Sequence, residues 1–314
     1  MSDAGTSSTT TAPGPMRVAV SGSTGLIGTA LVERLRREGH TVLRLVRSAA
    51  GAGAGDVAWD PERGTIDAAA LQGVDAVVHL AGENVGTRWT DEKKRRIRDS
   101  RVKGTRLLAE TVARQLSPRP RVLVQASATG IYGDRGDEAL DESSAAGTGF
   151  LAEVVRDWEG ASGLAEAAGI RVVKLRIGVV LSARGGALER LMLPFKMGVG
   201  GRIGTGRQWM PWISLDDAVE VIVRALRDER LRGPVNAVAG SARNADFTDA
   251  LARALRRPAL FPVPGFGLRA VFGQMADEAL LAGQRVEPAR LREIGHVFHH
   301  PTLDTALAAA VRNG

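Results

Sequence analysis

Residues 16 to 28, MRVAVSGSTGLIG, constrain the fold of this chain more than any other segment. The apolar, mostly β-branched run from Arg17 to Ser21 predicts a buried parallel strand. Glycines follow at positions 22, 25 and 28, and a helical pattern then covers Thr29 to Glu38. A strand, a glycine turn and a helix in this order predict a βα unit that binds phosphate groups.

Each glycine of this turn has a physical reason. Gly22 permits the tight turn, Gly25 lets the backbone approach a pyrophosphate, and Gly28 lets the helix pack on the strand. The helix N-terminus offers free N–H groups and a partial positive charge. We therefore predict a dinucleotide site here, with a purely structural βα turn as the alternative.

Strands alternate with helices along most of the chain. Apolar runs predict further strands at Thr41–Val46, Val57–Asp60, Asp75–Leu80, Arg121–Ser127 and Ile170–Ile177. Helical patterns predict helices at Arg101–Gln115, Gly149–Ala168 and Leu215–Arg227, the last one after Ser214. This alternation predicts an α/β fold, a Rossmann-type doubly wound parallel sheet that binds ligands at the carboxyl ends of its strands.

The predicted organisation has three parts. Residues 1–15 are small and polar, which is typical of a disordered tail. Residues 16–240 form the Rossmann domain, with a glycine-rich loop on the substrate side at 182–210, and residues 241–314 form a small, mostly helical C-terminal domain. A second phosphate loop is the alternative for the glycine-rich loop, but no clear apolar strand leads into it.

Composition limits the classes of function. Hydrophobic residues make up 44% and charged residues 25%, which is ordinary for a globular protein. No secretory signal or membrane-length apolar run is present, so we expect a cytoplasmic protein without membrane partners. The absence of cysteine excludes disulfides and cysteine nucleophiles.

A net charge of +7 raises the question of nucleic acid. The basic residues are spread over helical faces, except at Lys93–Arg101, and aromatic residues make up only 4% of the chain. Without aromatic interleaving or a motif, we expect no nucleic-acid partner and predict a small-molecule substrate. The sequence leaves a homodimer open.

The second predicted strand ends at Arg47 and Ser48, where NAD-specific folds place a carboxylate. Such a carboxylate binds the ribose 2′-hydroxyl and excludes a 2′-phosphate, whereas an arginine can pair with that phosphate. Arg47 therefore favours NADP over NAD. A solvent-facing arginine is the alternative interpretation.

Three motifs resemble the short-chain dehydrogenase/reductase superfamily in its extended, epimerase-like form: the glycine turn, LAG at 80–82, and SATGIYG at 127–133. That superfamily uses a Tyr-x-x-x-Lys pair, in which the lysine lowers the pKa of the tyrosine for proton transfer. Tyr132 is the chain's one tyrosine, and Gly136 stands four residues after it. Where epimerases place the pair, this sequence has Phe150 and Val154.

Further segments narrow the resemblance to an atypical branch, an NAD(P)-dependent epimerase-like family with a C-terminal domain of unknown function. They include LAGENV (80–85), FLAEVVRDWE (150–159), LPFKMGVGGRIGTGRQW (193–209) and GQRVEPARLREIG (283–295). The resemblance implies a Rossmann domain that binds NADP(H), no established substrate, and loss of the usual active-site residues. By position, it implies cofactor contacts at Gly22, Thr24, Gly25, Leu26, Ile27, Gly28, Arg47, Leu80, Ala81, Gly82, Arg101 and Val180.

Candidate residues for chemistry are the hydroxyl groups of Ser127, Thr129 and Tyr132, which are expected at the carboxyl end of one strand. Such hydroxyls can polarise a carbonyl group beside a nicotinamide. Packing at the sheet end is the alternative for Tyr132. Glu83 and Lys174 are weaker candidates for the missing proton-transfer group.

Other polar clusters have two interpretations each. Trp209, Pro211 and Trp212 beside Arg207 fit either a substrate-pocket wall or a set of core aromatics. Asp216 and Asp217 are expected to cap the following helix. The histidines of the C-terminal unit are expected on the surface rather than on a metal, and no metal site is predicted: His296, His299 and His300.

Two functions follow from these patterns. The first is an NADP(H)-dependent oxidoreductase or epimerase/dehydratase-like enzyme of unknown substrate, supported by the intact cofactor motif. The second is a non-catalytic NADP(H)-binding sensor or regulatory protein, supported by Phe150 and Val154.

Overall fold

The computed structural model describes residues 14–47, 53 and 55–312. Most of the expected N-terminal tail, Ser48 and most of the loop at 49–55 lie outside the described residues. Within them, no helix has the combination of length and apolar character that a membrane crossing requires.

The strands are β1 Arg17–Ser21, β2 Thr41–Val46, β3 Asp56–Asp60, β4 Thr65–Ile66, β5 Ala76–His79, β6 Val122–Ala128, β7 Ala139–Leu140, β8 Arg171–Ile177, β9 Val179–Leu181, β10 Trp209–Ser214, β11 Gly233–Ala237, β12 Gly240–Arg243 and β13 Arg285–Val286. The helices are α1 Leu26–Arg37, α2 Asp91–Arg114, α3 Phe150–Gly160, α4 Gly163–Ala167, α5 Gly186–Lys196, α6 Leu215–Arg227, α7 Asn244–Leu255, α8 Gly265–Phe272, α9 Ala289–Glu293 and α10 Leu303–Arg312.

An eight-stranded sheet forms the centre of the described chain, in the order β11-β8-β6-β5-β1-β2-β3-β4. All its neighbours run parallel except β3 and β4. The strand order reverses direction between β1 and β5, which is where a doubly wound sheet opens a crevice for ligands. The predicted α/β Rossmann fold is confirmed.

Helices cover both faces of the sheet. The apolar stripes of α1 and α6 pack on one face, while α2 and α4 pack on the other. Strand residues such as Val18, Ala19 and Val20 are fully buried, because successive side chains enter opposite layers and both layers are covered. The carboxyl ends of the strands are thereby left as the open edge of the molecule.

A second, three-stranded sheet was not predicted. β10 pairs in parallel with β9 and antiparallel with β12, so this sheet joins segments on both sides of residue 240. Helices α5, α7 and α10 pack around it in a separate apolar core, so residues 186–196 of the predicted glycine-rich loop at 182–210 are a helix, held by the burial of Leu188, Met192 and Phe195. A short two-stranded pairing of β7 with β13 then ties residues 285–286 back to residues 139–140.

Three helices differ from the prediction, and the first of them, α1, begins at Leu26 rather than Thr29. Helix α2 begins at Asp91 rather than Arg101, since the Thr90 side chain accepts a hydrogen bond from Lys93 N at 3.1 Å and caps its first turn. The predicted helix at 149–168 is two helices, α3 and α4. The Ser162 hydroxyl bonds the Glu159 carbonyl at 3.0 Å at the break, and Gly160 and Gly163 flank it.

Candidate functional site

The glycine turn lies against the segment that follows β5, at the switch point between β1 and β5. Gly22 has φ +67°, and a Cβ there would stand 2.7 Å from the carbonyl carbon of Leu80 and 2.8 Å from Ala81 N. A Cβ on Gly28 would stand 2.1 Å from the Gly22 carbonyl oxygen. A side chain at position 22 would therefore push the turn away from the segment after β5, and one at position 28 would clash with the backbone of the turn itself.

The N-terminus of α1 opens into this crevice. Gly25 is its N-cap, no side chain caps it, and its first turn carries no acidic residue. Thr24 and Gly25 are exposed, and Leu26 and Ile27 are half-buried. Uncapped N–H groups with the positive end of the helix dipole suit a pyrophosphate, so the residues present fit a dinucleotide.

Two further expected cofactor residues lie along the same edge of the sheet. Arg47 directly follows β2, the parallel neighbour of β1, and its side chain is exposed. Val180 lies in β9, pairs with Ile213 of β10, and is half-buried. The structure thus brings the two residues to the open edge that carries the glycine turn, one on each side of it.

Arg101 supports the loop after β5. Its Nη1 donates to the carbonyls of Glu83 at 3.0 Å and Ile97 at 3.2 Å, and its guanidinium lies 5.0 Å from the Trp158 ring. Burial lowers the pKa of Arg101 to about 10. A Cβ on Gly82 would stand 3.3 Å from the guanidinium carbon. These contacts favour a positioning role beneath Leu80–Gly82.

His79 lies directly under the glycine turn. Its Nδ1 is 2.6 Å from the hydroxyl of Ser21, its partner in the β1–β5 register. Complete burial is the main cause that lowers the pKa of His79 to about 3, and the nearby Arg101 lowers it further. The imidazole is therefore neutral at pH 7 and links the ends of the two strands that flank the crevice.

A buried polar network lies at the carboxyl ends of β6 and β8. Ser127 Oγ donates to Glu159 Oε1 at 2.6 Å, and Arg176 binds both carboxylate oxygens of Glu159, at 2.9 and 3.0 Å. Arg176 Nη1 also donates to the Tyr132 hydroxyl at 3.0 Å. That hydroxyl donates to Asn236 Oδ1 at 2.7 Å or to the Asp141 carbonyl at 2.9 Å.

This network bears on the three hydroxyls expected to take part in chemistry. Ser127, Thr129 and Tyr132 lie close in the chain and at one strand end as expected, but their exposed fractions are 3%, 6% and 0%. Burial raises the pKa of Tyr132 and outweighs the lowering by Arg176, which is opposite to the shift that a proton shuttle requires. The contacts of Tyr132 favour the packing interpretation.

Phe150 and Val154 form part of an apolar cluster. The Phe150 ring packs edge-on against Trp89 with centroids 5.1 Å apart, and Val154 is 1% exposed. The backbone N–H groups of Phe150 and Leu151 donate to the carboxylate of Glu278, at 3.2 and 2.9 Å. A residue of the C-terminal unit thus caps the helix on which the superfamily carries its catalytic pair.

The weaker candidates for proton transfer are bound to other charges. Glu83 pairs with Lys93 and Arg96; the hydrogen bond from Lys93 is the main reason that the pKa of Glu83 is lowered. Lys174 pairs with Glu166 at 2.9 Å, two residues before Arg176 on the same face of β8. Both contacts are those of structural ion pairs.

The aromatic residues of β10 divide between two environments. Pro211 and Trp212 are buried, and Trp212 belongs to the core of the three-stranded sheet. Trp209 lies between the guanidinium groups of Arg243 and Arg285, at 4.8 and 5.3 Å, and donates to Asp137. The core interpretation therefore applies to Trp212.

The N-cap of α6 is Ser214, not Asp216 or Asp217 as expected, since Ser214 Oγ accepts from the Asp217 N–H at 3.0 Å. The carboxylate of Asp217 accepts from the Ser214 hydroxyl at 2.7 Å. This carboxylate also accepts from the N–H groups of His299 at 2.6 Å and His300 at 3.1 Å. Asp217 is 0% exposed, whereas Asp216 remains at the surface near His300. Asp217 thus joins α6 to the C-terminal unit.

The sequence interpretation missed Glu159, Arg176 and Glu278. The sequence pattern around two of them places a charge at a position expected to be buried. Arg176 interrupts an apolar strand, and Glu159 follows Trp158 on the buried face of a helix. A charge at a buried position predicts a charged partner. The partner itself was not predictable, because the contacting residues are far apart in the chain.

Comparison with known proteins agrees with this geometry. A model of the NAD dependent epimerase/dehydratase family matches residues 18–238, and a domain of unknown function, DUF1731, matches residues 263–310. An epimerase family protein of Mycobacterium bovis is 47% identical over 296 residues, covering 93% of this chain and 97% of the relative.

Human epimerase family protein SDR39U1 is 37% identical over 301 residues, covering 94% of this chain and 100% of the relative. A crystal structure of its isoform 2 with NADPH superimposes with a TM-score of 0.86 at 35% identity. That likeness covers 95% of this chain and 100% of the human one.

Proposed function

Since this chain belongs to the NAD dependent epimerase/dehydratase family and carries the C-terminal DUF1731 domain, we propose that it binds NADP(H) at the glycine turn. The close packing of Gly22 against Leu80 and Ala81 carries the proposal, because it brings the glycine turn and the segment after β5 together at the switch point of the sheet, where such folds bind dinucleotides. The human relative crystallised with NADPH supports it.

In this proposal the chain's own residues bind each part of the cofactor. The amides of Gly25, Leu26 and Ile27 bind the pyrophosphate, and Arg47 pairs with the 2′-phosphate of the adenosine half. Leu80–Gly82 lie against the adenosine half, and Val180 lies toward the nicotinamide end. When bound, NADP(H) supplies hydride transfer, which makes the protein an oxidoreductase of the epimerase/dehydratase type acting on a small molecule.

The proposal assigns no residue to proton transfer. Polarisation of a carbonyl by Ser127, Thr129 and Tyr132 stays a prediction. It requires the hydroxyls of Ser127 and Tyr132 to leave Glu159 and Asn236, to which they are bound at 2.6 and 2.7 Å.

Cofactor choice is tested by thermal unfolding with NADPH and with NADH. Binding to the folded state alone raises the melting temperature, by about 5 °C at a ligand concentration of roughly a hundred times Kd. We expect NADPH to stabilise the chain more than NADH, and Arg47→Asp to remove the difference. Arg106→Asp is the matched control, since Arg106 is an exposed arginine on α2. Equal shifts with the two cofactors in the unaltered chain would contradict the proposal.

A second candidate function is a non-catalytic NADP(H)-binding sensor. It is favoured by the apolar Phe150 and Val154 and by the buried Tyr132 with its raised pKa. NADPH oxidation with a broad panel of carbonyl compounds separates the two functions. Turnover above the rate of Arg47→Asp supports the enzyme, and rates equal to that variant support the sensor.

A further inference from the structure

A cavity of about 710 Å³ lies where three segments meet: residues 134–137 after β6, residues 204–208, and residues 264–283 of the C-terminal unit. Its lining lies outside the glycine turn, Arg47 and Leu80–Gly82. We propose that this cavity binds a small organic anion with an apolar body, whose acidic group pairs with Arg207 and whose body covers Phe266. Calling this ligand the substrate class rests on the proposed function; the binding itself does not.

Most charges that line the cavity already have partners. Asp137 accepts from Trp209 Nε1 at 2.7 Å and from Arg243 Nη2 at 2.9 Å, and Asp134 accepts from Gly283 N at 3.0 Å. Arg269 donates to Asp277 at 2.7 Å. An incoming anion would have to break these contacts in order to bind Arg243 or Arg269.

Arg207 is different. Across the part of the chain that the structure describes, its guanidinium makes no hydrogen bond or ion pair, although it lines the cavity near enough to Asp137 to help lower the pKa of that carboxyl. Its backbone is fixed, because its carbonyl accepts from Arg243 Nη1 and Arg243 packs on the Trp209 ring at 4.8 Å. A held backbone with an unpartnered guanidinium is a ready binding group for one carboxylate or phosphate.

The apolar part of the ligand follows from Phe266. This side chain lines the cavity and is 76% exposed, beside Pro264 and the half-buried Leu281. Contiguous exposed apolar patches with a polar rim mark ligand-binding grooves, because covering them removes apolar area from water, and Phe266, Pro264 and Leu281 line the cavity together. One unpartnered cation beside one uncovered aromatic ring matches a monoanion with an aryl or alkyl body.

Calorimetry at low ionic strength on the full chain tests the proposal with three probes: 3-phenylpropionate, phenyl phosphate and the neutral 3-phenylpropan-1-ol. We expect the better anion to bind about tenfold more tightly than the alcohol, since a charge-assisted pair stabilises the complex. The stronger of the two anions then identifies a carboxylate or a phosphate as the recognised group.

Three variants separate the contributions. Arg207→Gln should remove the preference for anions, and Phe266→Ser should weaken all three probes by roughly fivefold through lost apolar contact. Phe266 is so exposed that this change leaves the core intact. Arg106→Gln on α2 should change nothing. Each variant should keep the NADPH affinity of the unaltered chain.

The proposal is overturned if no probe binds, if the alcohol binds as tightly as the anions, or if Arg207→Gln keeps the anion preference. Loss of NADPH binding with intact probe binding would contradict only the proposed function. Failure of the probes with intact NADPH binding would contradict only the anion site.

Discussion

At the scale of single residues, Tyr132 combines the features of a buried structural group. Its hydroxyl lies among Arg176, Asn236 and the Asp141 carbonyl, and its side chain is 0% exposed. A catalytic tyrosine needs an exposed hydroxyl with a lowered pKa. The chain's one tyrosine is therefore better explained by the stability of the fold than by proton transfer.

Tyr132→Phe removes this hydroxyl, so that Asn236 Oδ1 loses its donor and Arg176 Nη1 loses its acceptor. We expect the free energy of unfolding to fall by about 1–3 kcal/mol, the cost of unsatisfied buried polar groups. Urea unfolding measures this loss, and NADPH affinity should stay unchanged. An unaltered stability with lost turnover would contradict the structural interpretation.

His79 predicts a pH dependence of stability. Its pKa in the folded protein is about 3, against an ordinary value of 6.5, so the unfolded chain binds more protons between these values. The contribution of the neutral His79 to the free energy of unfolding is therefore complete above pH 6.5 and is lost as the pH falls toward 3.

Urea unfolding at pH 7.5 and pH 5 measures this slope in the unaltered chain and in His79→Asn. Between the two pKa values, His79 changes the free energy of unfolding by up to about 1.4 kcal/mol per pH unit. The free energy of unfolding of His79→Asn should lack this part of the pH dependence. Equal slopes in the two proteins would show that His79 is protonated in the folded state.

At the scale of elements, the sequence predicted what neighbouring residues determine. β1, the glycine turn and α1 follow one another within a short stretch, and their apolar periodicity and glycines decide their structure. β10 was missed because Trp209–Ser214 contains Pro211 and becomes a strand only through pairing with β9 and β12. The cap from Glu278 was missed for the same reason, since it joins α3 to a residue 128 positions from Phe150.

That cap supplies a test at this scale. Glu278→Ala removes the acceptor for the first two N–H groups of α3 and should lower the free energy of unfolding by about 1–2 kcal/mol, as loss of a helix cap does. Glu293→Ala, at an exposed position on α9, is the matched control and should change it by less than about 0.5 kcal/mol. Equal effects of the two changes would contradict the capping role.

At the scale of the whole molecule, the C-terminal unit is joined to the Rossmann part at several places. Glu278 binds α3, Asp217 binds the backbone of His299 and His300, and β13 pairs with β7. The family resemblance predicted the Rossmann part and the C-terminal unit, but only the structure shows the contacts between them. The proposed cofactor site and the proposed anion cavity thus lie on parts of the chain that these contacts join.

A crystal structure of this chain with NADPH tests the central claim most directly. We predict the pyrophosphate on the amides of Gly25, Leu26 and Ile27, and the 2′-phosphate within about 3 Å of the Arg47 guanidinium. A pyrophosphate bound away from the glycine turn, or a 2′-phosphate that Arg47 does not contact, would contradict it.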